Sequence, residues 1–185
     1  MTSLIPLPDM EVAAGLLSGI TGRAVQLSKA PPLDLKARTP RVYGLYRDTA
    51  SDIICVSVLD FPFAACAGGA MLVFPLCTVN DAIRTATLEE GMLDTVREIL
   101  NVCARMFNDH AHQVFQQLYL TASELPADAA ALVRSPAQRM DMEGSIAGYG
   151  SGRMTVLVGH GAATAEPVPP QTDKPGLVAQ DLARR

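Results

Sequence analysis

The most constraining feature of the sequence is a central stretch, residues 88–107, in which apolar side chains recur at helical spacing. At about 100° per residue, these side chains fall within one arc over roughly four turns: Met92, Leu93, Val96, Ile99, Leu100, Cys103, Met106 and Phe107. So wide an apolar stripe must lie against the core of a packed domain. We therefore predict a helix that begins near Leu88, reaches at least Asn108 and lies on a sheet.

β-branched and apolar residues bounded by turn formers predict three strands before this helix, near 41–47, 53–60 and 69–75. The links between them are too short for helical crossovers, so the strands should form an antiparallel meander. Apolar residues also alternate around 140–146 and 154–158, with a glycine-rich break between them that predicts a β-hairpin. The predicted fold class is α+β, an antiparallel β-sheet packed against long α-helices.

Shorter helices are predicted from their ends. One should begin around Asp9 and stop before Gly19 or Gly22. Thr78 and Thr87 are each followed three residues later by an acidic residue, which resembles a capping box. We therefore expect a short helix and then the long helix to start at these two threonines.

The domain organisation follows from composition. The chain has 185 residues, of which 49% are hydrophobic and 18% charged, a profile typical of a packed globular protein. We expect a single α+β domain over residues 1–160, with a helical turn after Pro126. Residues 161–185 are rich in proline and lack core periodicity, so they are predicted to be a disordered tail.

Charge and residue usage argue against several classes of function. The net charge is −4, and no run of Lys or Arg is present, so neither nucleic acid nor an anionic membrane surface is an expected partner. No stretch of about eighteen apolar residues occurs, and the expected location is the cytoplasm. The four cysteines lack Cys-x-x-Cys spacing and read as buried hydrophobes. His110 and His112 would point in nearly opposite directions on a helix, so no metal site is expected.

The polar face of the central helix carries the candidate functional residues. Asp94, Glu98, Asn101 and Arg105 fall within a sector of about 60° opposite the apolar stripe. Asparagine inside a helix costs several tenths of a kcal/mol relative to alanine, so folding alone does not explain Asn101. An ordinary solvated face is one interpretation of this pattern, and a chemical role is the other.

The spacing Asp94-x-x-x-Glu98-x-x-Asn101 resembles the signature of the CheC/CheX/FliY family of bacterial phosphatases, which dephosphorylate the response regulator of chemotaxis. The predicted order of elements over about residues 10–135 is also similar to that of CheX. CheC carries two copies of the motif, but neither Asn80 nor Asn108 has a glutamate three residues before it. The resemblance is therefore to a single-motif, CheX-like protein.

The resemblance implies a mechanism and a partner. A phosphorylated receiver domain already holds Mg²⁺ and a lysine beside its phosphoaspartate, so hydrolysis mainly lacks an aligned water. Asn101 would orient that water, and Glu98 would pair with the lysine of the receiver. Asp94, Arg97 and Arg105 would contact the partner, where Arg105 can either meet an acidic rim or obstruct close approach. The protein would need no cofactor of its own and would form a homodimer, as CheX-like proteins do.

Two other interpretations stay open from the sequence. In the first, the same fold is a noncatalytic dimeric module that binds a receiver or another signalling protein, and the Glu98 and Asn101 pair is an ordinary solvated face. In the second, the chain is a different enzyme whose site uses the long loop 29–40.

Overall fold

The structure, a computed structural model, describes residues 5–37, 39–48, 52–107 and 113–159. The six strands of the described residues are β1 Val25–Lys29, β2 Arg41–Arg47, β3 Ile53–Asp60, β4 Val114–Tyr119, β5 Gln138–Ile146 and β6 Gly150–Val158. The helices are α1 Met10–Thr21, α2 Phe61–Met71, α3 Leu76–Thr85, α4 Glu90–Cys103 and α5 Ala127–Arg134. The predicted α+β class is confirmed.

The six strands form a single sheet in the order β1-β5-β6-β3-β2-β4, in which all neighbouring strands are antiparallel. The strands expected at 41–47 and 53–60 pair with each other, and the hairpin expected late in the chain is β5 with β6. Strand β1, which was not predicted, forms one edge of the sheet, and β4 forms the other.

Both faces of the sheet are covered, as the alternation along β2 shows. Val42 and Tyr46 belong to the large core that the sheet forms with α1, α2, α3 and α4. Tyr43 and Leu45 point to a smaller core on the opposite face, which α5 completes. Since side chains alternate between faces, a strand buried on both sides must be apolar throughout. This explains the continuous apolar runs in β2 and β3.

The strand predicted at 69–75 is wrong, because this segment is the end of α2 and the turn after it. Asp60 caps the helix, its Oδ1 accepting a hydrogen bond from the Phe63 amide at 2.8 Å. Small residues then let the helix pack tightly: a Cβ added to Gly68 would lie 3.0 Å from side-chain atoms of α4, including Val96 Cγ2. Periodicity cannot distinguish a short apolar strand from a helix buried on all sides.

Helix ends were predicted correctly at α1 and incorrectly at α3 and α4. The Asp9 carboxylate accepts hydrogen bonds from the first turn of α1, and Gly22 ends the helix with a φ of +63°. Pro75 and Glu89 are the N-caps of α3 and α4, and neither makes a side-chain capping bond, so the two capping boxes are wrong.

The central helix is also shorter than expected. Helix α4 stops at Cys103 and continues as a 3₁₀ turn, Ala104–Met106, instead of reaching Asn108 as an α-helix. At 14 residues it is the longest of the described helices. The predicted tail, 161–185, and the two histidines at 110 and 112 lie outside the described residues.

Substitution of Gly152 by alanine tests the packing of β6 against α2. The added Cβ would lie 2.3 Å from the Phe63 backbone nitrogen and 2.5 Å from Asp60 Oδ1, so backbone must move. We expect Gly152→Ala to lower the free energy of unfolding by about 3 kcal/mol or more, measured by urea denaturation.

Gly15→Ala is the matched control for this substitution. Gly15 lies inside α1, and nothing lies within 4 Å of an added Cβ. Alanine there should stabilise the protein by about 0.5–1 kcal/mol, because alanine is the better helix former. Equal effects of the two substitutions would contradict the close contact of β6 with α2.

Candidate functional site

The candidate site is the exposed face of α4. The apolar stripe predicted for this helix is confirmed: all of its members are buried except Leu93, which is half-buried. On the other side, Glu98 and Asn101 are exposed, and Asn101 Nδ2 donates to Glu98 Oε2 at 3.5 Å. This distance is at the long limit of a hydrogen bond. The pair is therefore adjacent but weakly bonded, and both side chains keep groups available for a partner.

The three residues predicted to contact a partner are also exposed: Asp94, Arg97 and Arg105. Asp94 and Arg97 form an ion pair with each other within one turn of α4. Arg105 lies in the 3₁₀ turn, which has three residues per turn and so departs from the α-helical spacing behind the prediction. Among the described residues, Arg105 makes no hydrogen bond or ion pair, and it does not bond to Glu98 or Asn101.

Helix α2 fixes one side of α4. The buried hydroxyl of Thr95 shares its single proton between the Met92 carbonyl of its own helix, at 2.7 Å, and the Gly68 carbonyl of α2, at 3.3 Å. Because Gly68 has no side chain, the two helices approach closely enough for this contact. Thr95 therefore ties α4 to α2 one turn before Glu98 and Asn101.

Strand β2 fixes the turn of α4 that carries Asn101. Leu100 packs over Gly44, where an added Cβ would lie 2.8 Å from Leu100 Cδ2. Tyr46 Oη donates to the Leu100 carbonyl at 2.9 Å, and its ring packs against Phe107 with the centroids 5.4 Å apart. Burial raises the pKa of Tyr46 well above its usual value, so its hydroxyl stays protonated and keeps donating.

Sequence reasoning missed this anchor. Tyr46 and Leu100 are 54 residues apart, and no local pattern connects them. The available signal was the tyrosine itself: a buried tyrosine hydroxyl usually needs a hydrogen-bond partner, and Tyr46 lies in an otherwise apolar strand. The partner could not have been identified without the fold.

The chemistry open to this surface is that of a carboxylate and a carboxamide. Two cavities of the described residues, of about 600 and 510 Å³, are not lined by Glu98 or Asn101. Within the same residues, no group of three or more His, Cys, Asp or Glu is arranged to hold a metal ion. The exposed pair can therefore accept and donate hydrogen bonds on a surface that docks against it.

The cysteines do not add a nucleophile to this site. Burial raises the pKa of both Cys55 and Cys103 to about 12, so neither thiol ionises near neutral pH. Cys66 is buried as well, which confirms the prediction for these three residues. Cys77 is exposed on α3, so the prediction that it would be buried is wrong.

None of the described helices is long and apolar enough to cross a membrane.

Comparison with solved structures shows which proteins have a similar fold. No family model and no curated protein matches the chain. A chain of the FliM–SpeE complex from H. pylori has a TM-score of 0.58 at 10% identity, covering 81% of each chain. Thermotoga maritima FliY has a TM-score of 0.54 at 16% identity, covering 84% of this chain and 86% of that one. Vibrio vulnificus CheX has a TM-score of 0.47 at 15% identity, covering 80% and 93%.

The fold expected from the sequence motif is thereby confirmed. The match to FliY extends over most of both chains, and FliY is one of the proteins that the spacing of Asp94, Glu98 and Asn101 resembles. At this level of identity the likeness concerns the fold alone. The functions of the individual side chains must be argued from their chemistry.

Substitution of Tyr46 by phenylalanine tests the anchor beneath the site. Loss of the hydroxyl would leave the Leu100 carbonyl without its donor in a buried position. We expect the free energy of unfolding to fall by about 1–3 kcal/mol, measured by urea denaturation.

Tyr43→Phe provides the control from the same strand. Tyr43 is equally buried, but its hydroxyl makes no hydrogen bond to any of the described residues. This substitution should change the free energy of unfolding by less than about 0.5 kcal/mol. A loss at Tyr43 as large as that at Tyr46 would show that the bond to Leu100 does not stabilise α4.

Proposed function

We propose that this protein is a CheX-like phosphatase that hydrolyses phosphoaspartate on the receiver domain of a response regulator, in chemotaxis or another two-component pathway. One observation carries the proposal: Glu98 and Asn101 lie side by side on the exposed face of α4, whose opposite side is held by α2 and β2. A helix fixed in this way can present two side chains to a docking partner in a defined geometry.

Asn101 supplies the hydrolytic step in this proposal. Its carboxamide oxygen can accept a hydrogen bond from a water molecule, while its amide group donates to the phosphoryl oxygens. The aligned water forms a bond to phosphorus as the bond from phosphorus to the receiver's aspartate breaks. The products are the free carboxylate and inorganic phosphate. The receiver brings its own Mg²⁺ and lysine, so Asn101 need only orient the nucleophile.

Glu98 sets the docking geometry. Its carboxylate, one turn before Asn101, would form a charge-assisted bond with the lysine of the receiver. The weak 3.5 Å contact between Glu98 and Asn101 is readily exchanged for such a bond. Asp94 and Arg97 would contact the receiver beside this pair, with their mutual ion pair limiting the positions that Arg97 adopts. Arg105, exposed at the end of the helix, would meet an acidic rim.

The second candidate is a noncatalytic module of the same fold that binds a receiver or another signalling protein. One of the structural likenesses comes from a protein complex, that of FliM with SpeE. In either case we propose a homodimer, because the edge strands β1 and β4 leave backbone groups available for pairing. The proposed location is the cytoplasm.

Asn101→Ala tests the catalytic proposal. Receiver domains encoded in the same genome are phosphorylated with a small phosphodonor and Mg²⁺, and the decay of each phosphoprotein is followed with and without this protein. We expect accelerated decay of at least one receiver, and a loss of about 100-fold or more of that acceleration in Asn101→Ala. Because Asn101 is exposed within a helix, the substitution should not lower the free energy of unfolding and should raise it by a few tenths of a kcal/mol.

Asn80→Ala is the matched control, since Asn80 is an exposed asparagine within α3. It should keep the full rate. If Asn101→Ala binds the receiver normally and retains the full acceleration, the mechanism is wrong. If wild-type protein binds a receiver without accelerating its decay, the noncatalytic module is the correct alternative.

Glu98→Gln separates docking from chemistry. The substitution keeps the size of the side chain and removes the charge that would pair with the lysine of the receiver. We expect KM to rise about tenfold or more, with a smaller change in kcat, in a titration of the phosphorylated receiver. A loss confined to kcat would contradict the docking role of Glu98.

A further inference from the structure

The loop between β1 and β2, residues 30–40, is held in place by side chains of the sheet. It has no helix or strand of its own among its described residues. Arginines from three strands donate to its backbone carbonyls instead. The bonds are Arg41 to Asp34 O at 2.5 Å and to Ala37 O at 3.2 Å, Arg139 to Leu33 O at 2.6 Å, and Arg153 to Pro31 O.

A buried carboxylate completes this arrangement. Asp141 accepts hydrogen bonds from the Leu33 amide at 2.9 Å and from Thr155 Oγ1 at 2.7 Å, and it pairs with Arg139 at 2.7 Å. Burial raises the pKa of Asp141, but these bonds outweigh it and hold the pKa below its ordinary value. The carboxylate therefore stays ionised at neutral pH. These bonds tie Pro31, Leu33, Asp34 and Ala37 to the sheet, so the cavity beside them is formed before any ligand arrives.

Such a cavity of about 510 Å³ lies between this loop, strand β2 and the segment after β4. Its volume is within the range of small-molecule sites. Apolar groups of Leu35, Tyr43 and Leu120 line it, together with the polar side chains of Lys36, Arg41 and Thr121. Among the described residues that line the cavity, none carries an acidic side chain. A preformed cavity with apolar walls and two cationic groups favours an anion that carries an apolar body.

Arg41 gives the cavity its chemical selectivity. It is only 4% exposed, yet it forms no ion pair with a carboxylate among the described residues. The carboxylate of Asp60, its cross-strand neighbour, lies beyond ion-pair distance, although the charge of Arg41 is one of the groups that oppose the rise in the pKa of Asp60 caused by burial. Two of the five guanidinium N–H groups are used by the carbonyls of Asp34 and Ala37. An anionic ligand beside Arg41 would accept charge-assisted hydrogen bonds from the guanidinium N–H groups that the two carbonyls leave unused.

We infer that this cavity binds a small monocarboxylate with an aliphatic body. The carboxylate accepts hydrogen bonds from the remaining N–H groups of Arg41 and interacts with the Lys36 ammonium at the rim. The aliphatic body packs against Leu35 and Leu120. This site belongs to the face of the sheet opposite α4, so it does not depend on the phosphatase proposal.

The test is a titration of isotopically labelled protein with hexanoate, followed by NMR at pH 7. We expect saturable shifts of the backbone amides within 35–43 and 120–123. Hexanamide, a neutral analogue of nearly the same shape, should bind about tenfold more weakly, because it lacks the charge-assisted bond to Arg41. Inorganic phosphate, which has no apolar body, should bind more weakly than hexanoate.

A substitution of Arg41 would also remove its hydrogen bonds to the loop, so the test uses two variants at other positions. Ala122→Phe places a ring at the exposed edge of the cavity and should abolish the shifts. Lys36→Met removes the second cation and should weaken hexanoate binding about twofold to fivefold, while leaving hexanamide binding unchanged. Any of four results would overturn the inference. Two concern affinity: equal affinity for hexanoate and hexanamide, or tighter binding of phosphate than of hexanoate. The other two are unchanged hexanoate binding in Ala122→Phe and the absence of a saturable shift with hexanoate.

Discussion

The packing of α4 against β2 is the contact on which the rest of the structure depends. Gly44 provides the space that Leu100 fills, and Tyr46 supplies the donor for the Leu100 carbonyl. The apolar stripe ensures that α4 lies on the sheet, but a stripe alone leaves a helix free to slide and rotate. A directional hydrogen bond and a glycine-sized space remove that freedom. The direction in which Asn101 points is therefore determined from beneath, by residues of the sheet.

The two faces of the sheet serve different purposes. On one face, four helices enclose a large core, and the outer side of α4 carries the exposed Glu98 and Asn101. On the other face, α5 and the loop 30–40 cover a smaller core, and the loop closes over a cavity that contains Arg41. Because β2 lines both cores, the two surfaces share one rigid element. Each surface can nevertheless be altered by substitutions that do not touch the other.

The sequence was informative where the physics is local. The spacing of the stripe identified α4 and its exposed face. Asp9 identified the start of α1, and Gly22 was one of the two glycines expected to end it. It was misleading at 69–75, where a helix built of small residues is buried by its neighbours and shows no amphipathic period. It could not reveal the bond between Tyr46 and Leu100 or the cavity beside Arg41, because both arise from segments that meet only in the folded chain.

The central claim is that a phosphorylated receiver docks on the outer face of α4 with Asn101 at the phosphoryl group. The most direct measurement is an NMR titration of the labelled protein with a receiver held in its phosphorylated form by beryllofluoride and Mg²⁺. We expect the side-chain amide signals of Asn101 to shift strongly and the other affected amides to lie along α4 around Glu98. Perturbations confined to another surface, with the Asn101 side chain unaffected, would contradict it.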